Sequence, residues 1–551
     1  MPKQSRSTKK KWDTFVHNGV LFFHPYEQHN TPLIYDGKKI TLSIVAEEMA
    51  TLYARSIDPD KPKPSRFAKN FWKSWKSVLN DTSIKSLDQC DFSLIIKYLD
   101  KKKEERLNTP KDKKQKVTEN KEVSMKRYKI ALVDGVKQAI GSPLVEPTGL
   151  FMGRGSHPKS GTIKQRVTPE DVTINISKGV ADPKIYYLSK EGNLVEMKGR
   201  SWGNVVHDNT LEWVASWTDN VSGKKKYVWL ADTCNFKSDS DVKKFDIARK
   251  LKKKINDVRI ETNRLINSDN IKESQLGTAI YIMDNLALRV GNEKGNDEAD
   301  TVGLTSLRVE HIKLSSDHTI TLDFLGKDTM RYFNTIKIDE NVYSNLVKFT
   351  KEKDKSNQLF EKITSCDVNE FLQSMIKGLT AKSFRTFNAS NTFQRKLKTI
   401  VKKYEGVENL SANDINDILK QVDHANIEVA KLCNHQKAVT KGSKNQIKKM
   451  KDKIEEVRKL KRNLQARKKR TKTIDNKIVK MNDKIKLMKS KISIKNELKN
   501  ISLNTSKINY IDPRIFFSFS KKLNIPIEKF YSTTLITKFN WASDVDKDFK
   551  F

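Results

Sequence analysis

One tyrosine, Tyr510, stands where it could act as a nucleophile. It occupies the run SKINYIDP at residues 506–513, shortly after a lysine-rich stretch. A phenol has an ordinary pKa of about 10, so it must lose its proton as it attacks, and cationic neighbours favour that loss. A phosphodiester under attack builds negative charge on its non-bridging oxygens, which preorganised donors must offset. A tyrosine in this position could equally be an apolar core residue.

Four basic residues elsewhere in the chain could supply those donors: Arg289, Lys327, Arg385 and His435. The planar fork of an arginine can bind two phosphate oxygens together. A lysine could protonate the leaving alkoxide, and a histidine suits acid–base work. Each residue also has an ordinary structural role, because arginines often cap helix ends and lone histidines often pack in cores. Spacing alone leaves both interpretations open.

The charge balance indicates a polyanionic partner. The chain has 551 residues, with 106 Lys and Arg against 67 Asp and Glu, and a formal net charge of +39. Such an excess points to nucleic acid, with a membrane surface as the weaker alternative. No apolar run approaches the roughly 20 residues that span a bilayer. At 36% hydrophobic residues, the chain can still build a core.

Several common types of enzymatic machinery have no signature here. The four cysteines (Cys90, Cys234, Cys366 and Cys433) are far apart and form no CxxC pair. This pattern indicates a reducing compartment rather than zinc fingers or a disulfide framework. Neither HExxH nor GxxxxGK[ST] occurs. The sequence therefore shows no motif for metal-assisted hydrolysis or for P-loop use of ATP.

The elements that must position these residues change character along the chain. Residues 11–229 read as a mixed α/β region, with strands at 20–23 and 211–217, helices at 44–52 and 67–79, and a charged helical arm at 98–130. After residue 243 the spacing is mostly helical, with helices at 247–265, 275–290, 368–378 and 412–435. Strands at 320–325 and 330–336 predict a hairpin with Lys327 at its tip.

A basic heptad region precedes Tyr510. Residues 444–503 contain no Gly or Pro, and residues 441–500 contain 23 Lys and Arg against 6 Asp and Glu. Alternating four- and three-residue steps form two apolar seams: Ile447, Met450, Ile454 and Val457, then Ile474, Ile478, Met481, Ile485, Met488 and Ile492. The seams lapse at residues 467–471, which predicts a turn between two antiparallel helices. Their charge could form a solvated face or lie near DNA.

The segments around the five candidate residues resemble eukaryotic-type DNA topoisomerase IB. The similarity is carried by LALRVGNEK at 286–294, DFLGKD at 323–328, TAKSFRTFNAS at 380–390, LCNHQ at 432–436 and SKINYIDPR at 506–514. Upstream, PTGLF at 147–151 and GRGSHPK at 153–159 resemble the cap of that family. The resemblance covers essentially the whole chain in order. The segment before Lys11 is short beside the charged N-terminal extension of many relatives.

The resemblance implies a role for each candidate residue. Tyr510 would attack a DNA phosphodiester and form a 3′-phosphotyrosine. Arg289, Arg385 and His435 would hold the phosphate, and Lys327 would act as the general acid. Family positions near DNA match Arg154, Lys226, Tyr227, Asn292, Lys294, Thr301 and Lys382. The site of camptothecin-type poisons matches Arg154, Asp328 and Asn509.

The resemblance also implies a domain layout and a cellular context. We expect a basic tail (1–10), a cap (11–234), a helical catalytic subdomain of the tyrosine recombinase and type IB topoisomerase kind (235–438), a basic antiparallel coiled-coil linker (439–501) and a C-terminal domain (502–551). Together they would form a bilobed, monomeric clamp on double-stranded DNA, with contacts mainly to phosphates and no cofactor, metal or membrane. The expected compartment is the nucleus, or a viral or host-cell compartment if a large DNA virus encodes the chain.

Two rival functions remain at this stage. A tyrosine recombinase uses similar Arg, Lys, His and Tyr chemistry but assembles on specific paired sites. A basic chromatin or RNA-binding protein with a coiled-coil arm would match the composition without any enzymatic activity. The order of the five motifs favours the topoisomerase.

Overall fold

The chain folds as a mixed α/β protein with more than one compact unit, as the sequence predicts. The computed structural model describes residues 9–58, 63–79, 83–295, 297–407, 409–437, 441–466, 471–497 and 500–551. The first unit comprises Met1–Asp239 with Lys294–Asp300, and the second comprises Ser240–Glu293 with Thr301–Phe551. Most of the predicted basic tail and residues 467–470 of the predicted turn lie outside the described residues.

Short strands dominate the first unit. They are β1 (Phe15–His17), β2 (Leu21–Phe23), β3 (Leu33–Tyr35), β4 (Lys38–Ile40), β5 (Cys90–Asp91), β6 (Ile130–Val133), β7 (Val136–Ala139), β8 (Gly149–Leu150), β9 (Ile163–Lys164), β10 (Thr173–Asn175), β11 (Tyr186–Leu188), β12 (Leu194–Glu196), β13 (Asn204–Val206), β14 (Trp213–Thr218) and β15 (Lys225–Trp229). Its helices are α1 (Ile44–Ser56), α2 (Ser65–Lys76), α3 (Ser93–Asn108) and α4 (Lys111–Lys126).

These strands form small sheets over two apolar cores. The largest sheet has the order β13-β10-β14-β15, in which only the β10–β13 pair is parallel. Other sheets run β1-β6-β7, β12-β11-β2, β4-β3-β5 and β8-β9. The predicted arm at 98–130 is two helices, because Pro110 precedes α4 and has no N–H with which to continue α3.

The second unit is mainly helical, with a single three-stranded sheet among its described residues. Its helices are α5 (Asn235–Ile266, entered from the first unit), α6 (Ile271–Leu286), α7 (Glu340–Thr350), α8 (Ser365–Met375), α9 (Ala381–Lys403), α10 (Ala412–Leu432), α11 (Lys441–Gln465), α12 (Lys472–Glu497), α13 (Leu503–Asn509), α14 (Pro513–Lys522) and α15 (Thr533–Lys538). The sheet is β16 (Ile312–Ser315), β17 (Thr319–Leu325) and β18 (Arg331–Lys337), antiparallel throughout.

The predicted helix at 275–290 ends earlier than expected. Ala287 adopts a left-handed backbone conformation (φ 48°, ψ 36°) that closes α6 after Leu286. The next residues, up to Gly291, belong to no helix or strand. There Gly291 and Gly303 pass so closely that a Cβ on Gly291 would lie 2.5 Å from the Gly303 Cα. Because neither glycine has a side chain, the segment that carries Arg289 can pass close to the backbone at Gly303.

Helices α11 and α12 lie side by side and antiparallel. Lys495 of α12 donates a hydrogen bond to Gln446 of α11 at 3.0 Å, which pairs the end of one helix with the beginning of the other. The buried residues between them, Ile454, Val457, Ile478 and Ile492, all belong to the apolar seams read from the sequence. Lysines cover the exposed faces of both helices. The predicted pair of helices is present in the described residues.

Candidate active site

Arg385 lies at the centre of a buried cluster and joins three helices. It lies in the first turns of α9 and is 4% exposed. Its Nη1 donates to the carbonyl of Ala287 at 2.6 Å, and its Nη2 donates to the carbonyl of Cys433 at 2.7 Å. The left-handed turn at Ala287 and the end of α10 at Cys433 thus each supply a carbonyl that fixes the guanidinium.

Tyr510 lies against this guanidinium. The ring is 8% exposed, and its centroid lies 5.0 Å from the Arg385 guanidinium carbon. Burial alone would raise the pKa of the phenol. The positive charges of Arg385 and Arg289 outweigh burial, so the pKa of Tyr510 lies below its ordinary value. A phenol in this environment gives up its proton more readily than one in water.

Arg289 brings a second guanidinium from the segment that follows α6. Burial lowers its pKa, as does the nearby charge of Arg385, while Tyr510 opposes that shift. Its backbone is fixed by the returning chain, since Leu304 N–H donates to the Arg289 carbonyl at 2.9 Å. Two arginines and one phenol therefore share a poorly solvated space, which strengthens electrostatic interactions.

His435 completes the buried group. Its ring stacks on Tyr510 with centroids 5.1 Å apart and planes at 23°. The residue follows α10 after a left-handed turn at Asn434 (φ 51°), and its N–H donates to the Ala430 carbonyl at 2.8 Å. Burial, and then the charges of Arg385 and Arg289, lower the pKa of His435 to about 3. The ring is therefore neutral near pH 7.

Several contacts hold the segment of Tyr510 in place. The hydroxyl of Ser390 on α9 donates to the Tyr510 carbonyl and accepts from Asp512 N–H, both at 3.0 Å. Asp512 in turn forms a bidentate pair with Arg514, whose Nη1 lies 2.9 Å from Asp246 of α5. The segment that carries the nucleophile candidate is therefore linked by polar contacts to α9 and α5.

The long helical pair begins and ends beside the same cluster. Lys437 N–H donates to the Asn500 carbonyl at 2.9 Å, and Ser502 N–H donates to the His435 carbonyl at 2.8 Å. The chain thus leaves the site directly after His435, and it re-enters at Ser502, just before the helix that leads to Tyr510. This pairing explains how residues far apart in sequence converge.

Lys327 occupies a different environment, at the exposed tip of the β17–β18 hairpin that the sequence predicts. Asp328 (φ 67°) and Thr329 (φ 56°) adopt left-handed conformations that form the turn. Within the described residues, no hydrogen bond or ion pair joins the Lys327 side chain to the other four candidates. The base of the tip is nevertheless fixed near them, because Gln436 donates to the Arg331 carbonyl at 3.0 Å.

The remaining candidates of the second unit lie close in sequence to the five candidate active-site residues. Asn292 is exposed and accepts a hydrogen bond from Ser365 at 2.6 Å. Thr301 is half-buried, and Lys382 is exposed on the first turn of α9. Asn509, directly before Tyr510, is exposed and donates to the Thr505 carbonyl at 3.2 Å. Asp328 is exposed next to Lys327.

The first unit carries the other four. Tyr227 is exposed on β15, with its ring 5.2 Å from that of Trp229. Lys226 lies 3.8 Å from Glu146 and 3.9 Å from Asp219. Lys294 pairs with Glu298 at 3.9 Å, and Arg154 is exposed. These side chains give the unit accessible basic and aromatic groups.

The geometry identifies two residues for which the sequence assigns no role, Ser390 and Ser506. The Ser506 hydroxyl lies 2.8 Å from His435 Nδ1. Its only signal in the sequence is its place one helical turn before Tyr510, within the SKINY run. Over the ranges that the structure describes, no group of three His, Cys, Asp or Glu residues is arranged to hold a metal ion. In the same ranges, no helix has both the length and the apolar character needed to cross a bilayer.

The sequence matches three family profiles. Residues 10–230 match "Eukaryotic DNA topoisomerase I, DNA binding fragment", residues 233–468 match "Eukaryotic DNA topoisomerase I, catalytic core", and residues 482–551 match "C-terminal topoisomerase domain". All five candidate residues of the active site fall within the second and third matches.

Named proteins show the same similarity along the chain. DNA topoisomerase 1 of Caenorhabditis elegans is 39% identical over 97% of this chain and 67% of the relative. DNA topoisomerase 1 of Homo sapiens is 36% identical over 98% of this chain and 72% of the relative. DNA topoisomerase 1 beta of Arabidopsis thaliana is 37% identical over 100% of this chain. The chain spans about three fifths (61%) of that plant relative.

Proposed function

This chain belongs to the eukaryotic DNA topoisomerase I family, and from that membership we propose that it relaxes DNA supercoils of either sign. It would cut one strand, let the strand rotate about its partner and rejoin it. The observation that carries the proposal is the buried cluster in which Arg385 and His435 contact the ring of Tyr510. That cluster lies within one compact unit.

The chemical step that we propose begins at the Tyr510 phenol. Its oxygen attacks a DNA phosphorus, loses its proton to water, and forms a 3′-phosphotyrosine as the bond from phosphorus to the 5′ oxygen breaks. The leaving 5′ oxygen takes a proton from Lys327 and becomes a hydroxyl. Rejoining is the reverse reaction. One phosphodiester is exchanged for another, so the reaction needs no ATP.

The cluster would supply the positive charge that this step requires. Arg385 and Arg289 would bind the non-bridging oxygens, and His435 would donate a further hydrogen bond. One observation supports a bound anion. Among the described residues, Arg385 Nε is buried and has no hydrogen-bond partner. A buried donor without an acceptor requires an explanation, and a phosphate oxygen would satisfy it. These groups would carry the chemistry without a metal ion.

The candidates outside the buried cluster would hold the duplex. In this proposal Arg154, Lys226, Tyr227, Lys294 and Lys382 contact the backbone, with Asn292 and Thr301 beside them. Most such contacts reach phosphates, so binding should be weakly selective for sequence and strongly dependent on salt. Arg154, Asp328 and Asn509 would line the site for camptothecin-type poisons in the nicked complex.

We further propose the domain layout that the sequence indicates. Residues 11–234 would form the cap, 235–438 the catalytic subdomain, 439–501 the coiled-coil linker and 502–551 the C-terminal domain. The protein would close around DNA as a monomeric clamp and act in the nucleus. Limited proteolysis with and without duplex DNA tests the clamp, because closure should protect the cap from cleavage.

Relaxation of supercoiled plasmid tests the activity. The assay contains EDTA and no ATP, and we expect stepwise relaxation by the parent and none by Tyr510→Phe. Relaxation by that variant at the parental rate would overturn the assignment of the nucleophile. Recombinant products from paired sites would favour a recombinase, and binding without relaxation would favour a structural DNA-binding protein.

A further inference from the structure

Both ring nitrogens of His435 have a defined neighbour. Nδ1 lies 2.8 Å from the Ser506 hydroxyl, and Nε2 lies 3.3 Å from Arg385 Nη2. Ser506 is fully buried, and His435 is 4% exposed. These contacts hold the ring from both sides.

The chemistry of the two neighbours determines where the imidazole proton lies. A guanidinium has donors and no acceptor, so Nε2 must accept from Arg385. The ring is neutral, because burial and the two arginines lower the pKa of His435 to about 3. A neutral imidazole carries one proton. In the free protein that proton therefore lies on Nδ1 and is donated to Ser506.

This tautomer does not suit the role that His435 has in the proposed reaction. To donate to a phosphate oxygen, Nε2 must carry the proton. A bound phosphate would also attract Arg385 Nη2, since a charge-assisted bond to an anion is stronger than one to a neutral ring nitrogen. Nε2 would then lose its donor just as a phosphate oxygen becomes available.

We propose that Ser506 is a positioning residue whose hydroxyl lets His435 change tautomer when DNA binds. This inference rests on the proposed function. A hydroxyl can accept a hydrogen bond or donate one, simply by rotating. The ring keeps one proton throughout: Nδ1 releases its proton to water, and Nε2 takes one from water. Ser506 changes from acceptor to donor, and Nε2–H then points to the phosphate.

Ser506 also connects His435 to the nucleophile. Its carbonyl accepts the N–H of Tyr510 at 3.0 Å, while its hydroxyl binds the His435 ring. One residue of α13 therefore sets the orientation of the imidazole and the start of the segment that carries Tyr510. The rings of His435 and Tyr510 stack on each other, with their centroids 5.1 Å apart.

The first test measures single-turnover cleavage of duplex DNA by the full chain. Loss of one buried hydrogen bond should slow cleavage by Ser506→Ala about tenfold. Ser506→Thr keeps a hydroxyl and should restore most of the rate. Ser518→Ala is the matched control, because Ser518 is buried in the same C-terminal region but donates to the Lys547 carbonyl. Cleavage by Ser506→Ala at the parental rate would overturn the inference.

The second test reads the tautomer directly. Nitrogen NMR of protein labelled at histidine identifies the protonated ring nitrogen, and His435→Gln assigns the signal. We expect the proton on Nδ1 in the free protein and on Nε2 in Tyr510→Phe bound to duplex DNA. The same protonated nitrogen in both states, or both nitrogens protonated on DNA, would contradict the proposal.

The two tests separate this inference from the proposed function. If the parent fails to relax plasmid, the proposed function fails, whatever the tautomer in the free protein. If the parent relaxes plasmid but His435 keeps one tautomer, only the role of Ser506 fails. A double-variant comparison adds a check that does not depend on stability. In a His435→Gln background, whose amide donor needs no tautomer change, Ser506→Ala should cause no further loss.

Discussion

The buried cluster fixes its basic side chains inside the protein, whereas the β17–β18 hairpin presents its lysine to solvent. Arg385 is fixed by two backbone carbonyls, and His435 is fixed by a serine and a helix end. Lys327 stands exposed at the tip of a hairpin. Groups that stabilise a charged transition state gain from being preorganised away from water. We interpret the lysine as a group whose environment is completed only by DNA.

Among variants that keep Tyr510, the largest effect should come from removing the centre of the buried cluster. Arg385→Ala should slow cleavage by roughly 10³-fold, the upper range for losing one preorganised donor. It should also lower the free energy of unfolding by about 1–3 kcal/mol, because the Ala287 and Cys433 carbonyls lose their donor. Single-turnover kinetics and urea unfolding measure the two effects.

Arg395→Ala is the matched control, since Arg395 is exposed on the same α9. We expect little change in either measurement for that variant. If Arg385→Ala cleaves DNA as fast as Arg395→Ala, the cluster is not the reactive centre. The contrast between the buried cluster and the exposed hairpin would then be unrelated to catalysis.

Lys327→Ala should affect chemistry without affecting the fold. We expect cleavage to slow by roughly 10²-fold, at the low end for loss of a general acid. DNA binding and the unfolding midpoint should stay near parental values, because the side chain is exposed. Rapid-quench kinetics check the rate. Lys337→Ala, at the other end of β18, is the control, and an unchanged cleavage rate for Lys327→Ala would refute the acid role.

The sequence predicts these two regions with unequal success. Two strand-like runs flank the turn at Gly326–Asp328, so the local sequence pattern is sufficient to predict the hairpin. The helical spacing predicts that Arg289 lies on a helix, but that helix ends at Leu286. The left-handed turn at Ala287 that ends it has no clear sequence signal. Arg385 lies on α9, a helix that none of the helical patterns covers. Its early residues include Asn, Ser and Thr, which are weak helix formers, and buried Phe384, Phe387 and Phe393 stabilise it through packing.

The contact between His435 and Ser506 lies beyond any local pattern. It joins residues 71 positions apart, across the whole α11–α12 pair. Only the pairing at Lys437 and Asn500 brings those segments together. The family resemblance could indicate the five candidates, but the groups that orient them required the fold.

A third prediction concerns pH and stability. His435 has a pKa of about 3 when folded and an ordinary value of 6.5. Between these values the unfolded chain binds the additional proton, so the free energy of unfolding should rise as pH rises from about 3 to 6.5 and then level. The contribution is at most about 1.4 kcal/mol per pH unit.

Urea unfolding at pH 5 and pH 7 isolates this contribution by comparing the parent with His435→Gln. His17 of the first unit also titrates low, since burial lowers its pKa to about 4. His17 contributes equally to the pH dependence of the parent and of His435→Gln, so its contribution cancels in the comparison. Equal pH dependence in the two proteins would show that His435 is not held neutral. His424→Gln, at an exposed site on α10, is the control.

The smallest effect on chemistry should come from the helical pair. Replacing the exposed lysines Lys448, Lys453 and Lys480 with Gln leaves the apolar seam intact. If these lysines contact phosphates, the magnitude of the slope of log affinity against log salt should fall by up to about 0.9 for each lysine replaced. Single-turnover cleavage should not change. The same three positions changed to Arg keep the charge and should behave as the parent.

A loss of cleavage comparable to that of Tyr510→Phe would contradict this assignment. It would mean that the helical pair does more than bind DNA, and that the division between a buried reactive centre and exposed binding groups is wrong.

The most direct test of the account is to identify the residue that becomes joined to DNA. The protein is incubated with a duplex that traps the cleaved strand and is then digested with a protease. The DNA-linked peptide is sequenced by mass spectrometry. We predict a 3′-phosphate linked to Tyr510, no adduct with Tyr510→Phe, and a normal adduct with Tyr531→Phe, a buried tyrosine of the same C-terminal region. An adduct on another residue, or one that persists in Tyr510→Phe, would contradict the central claim.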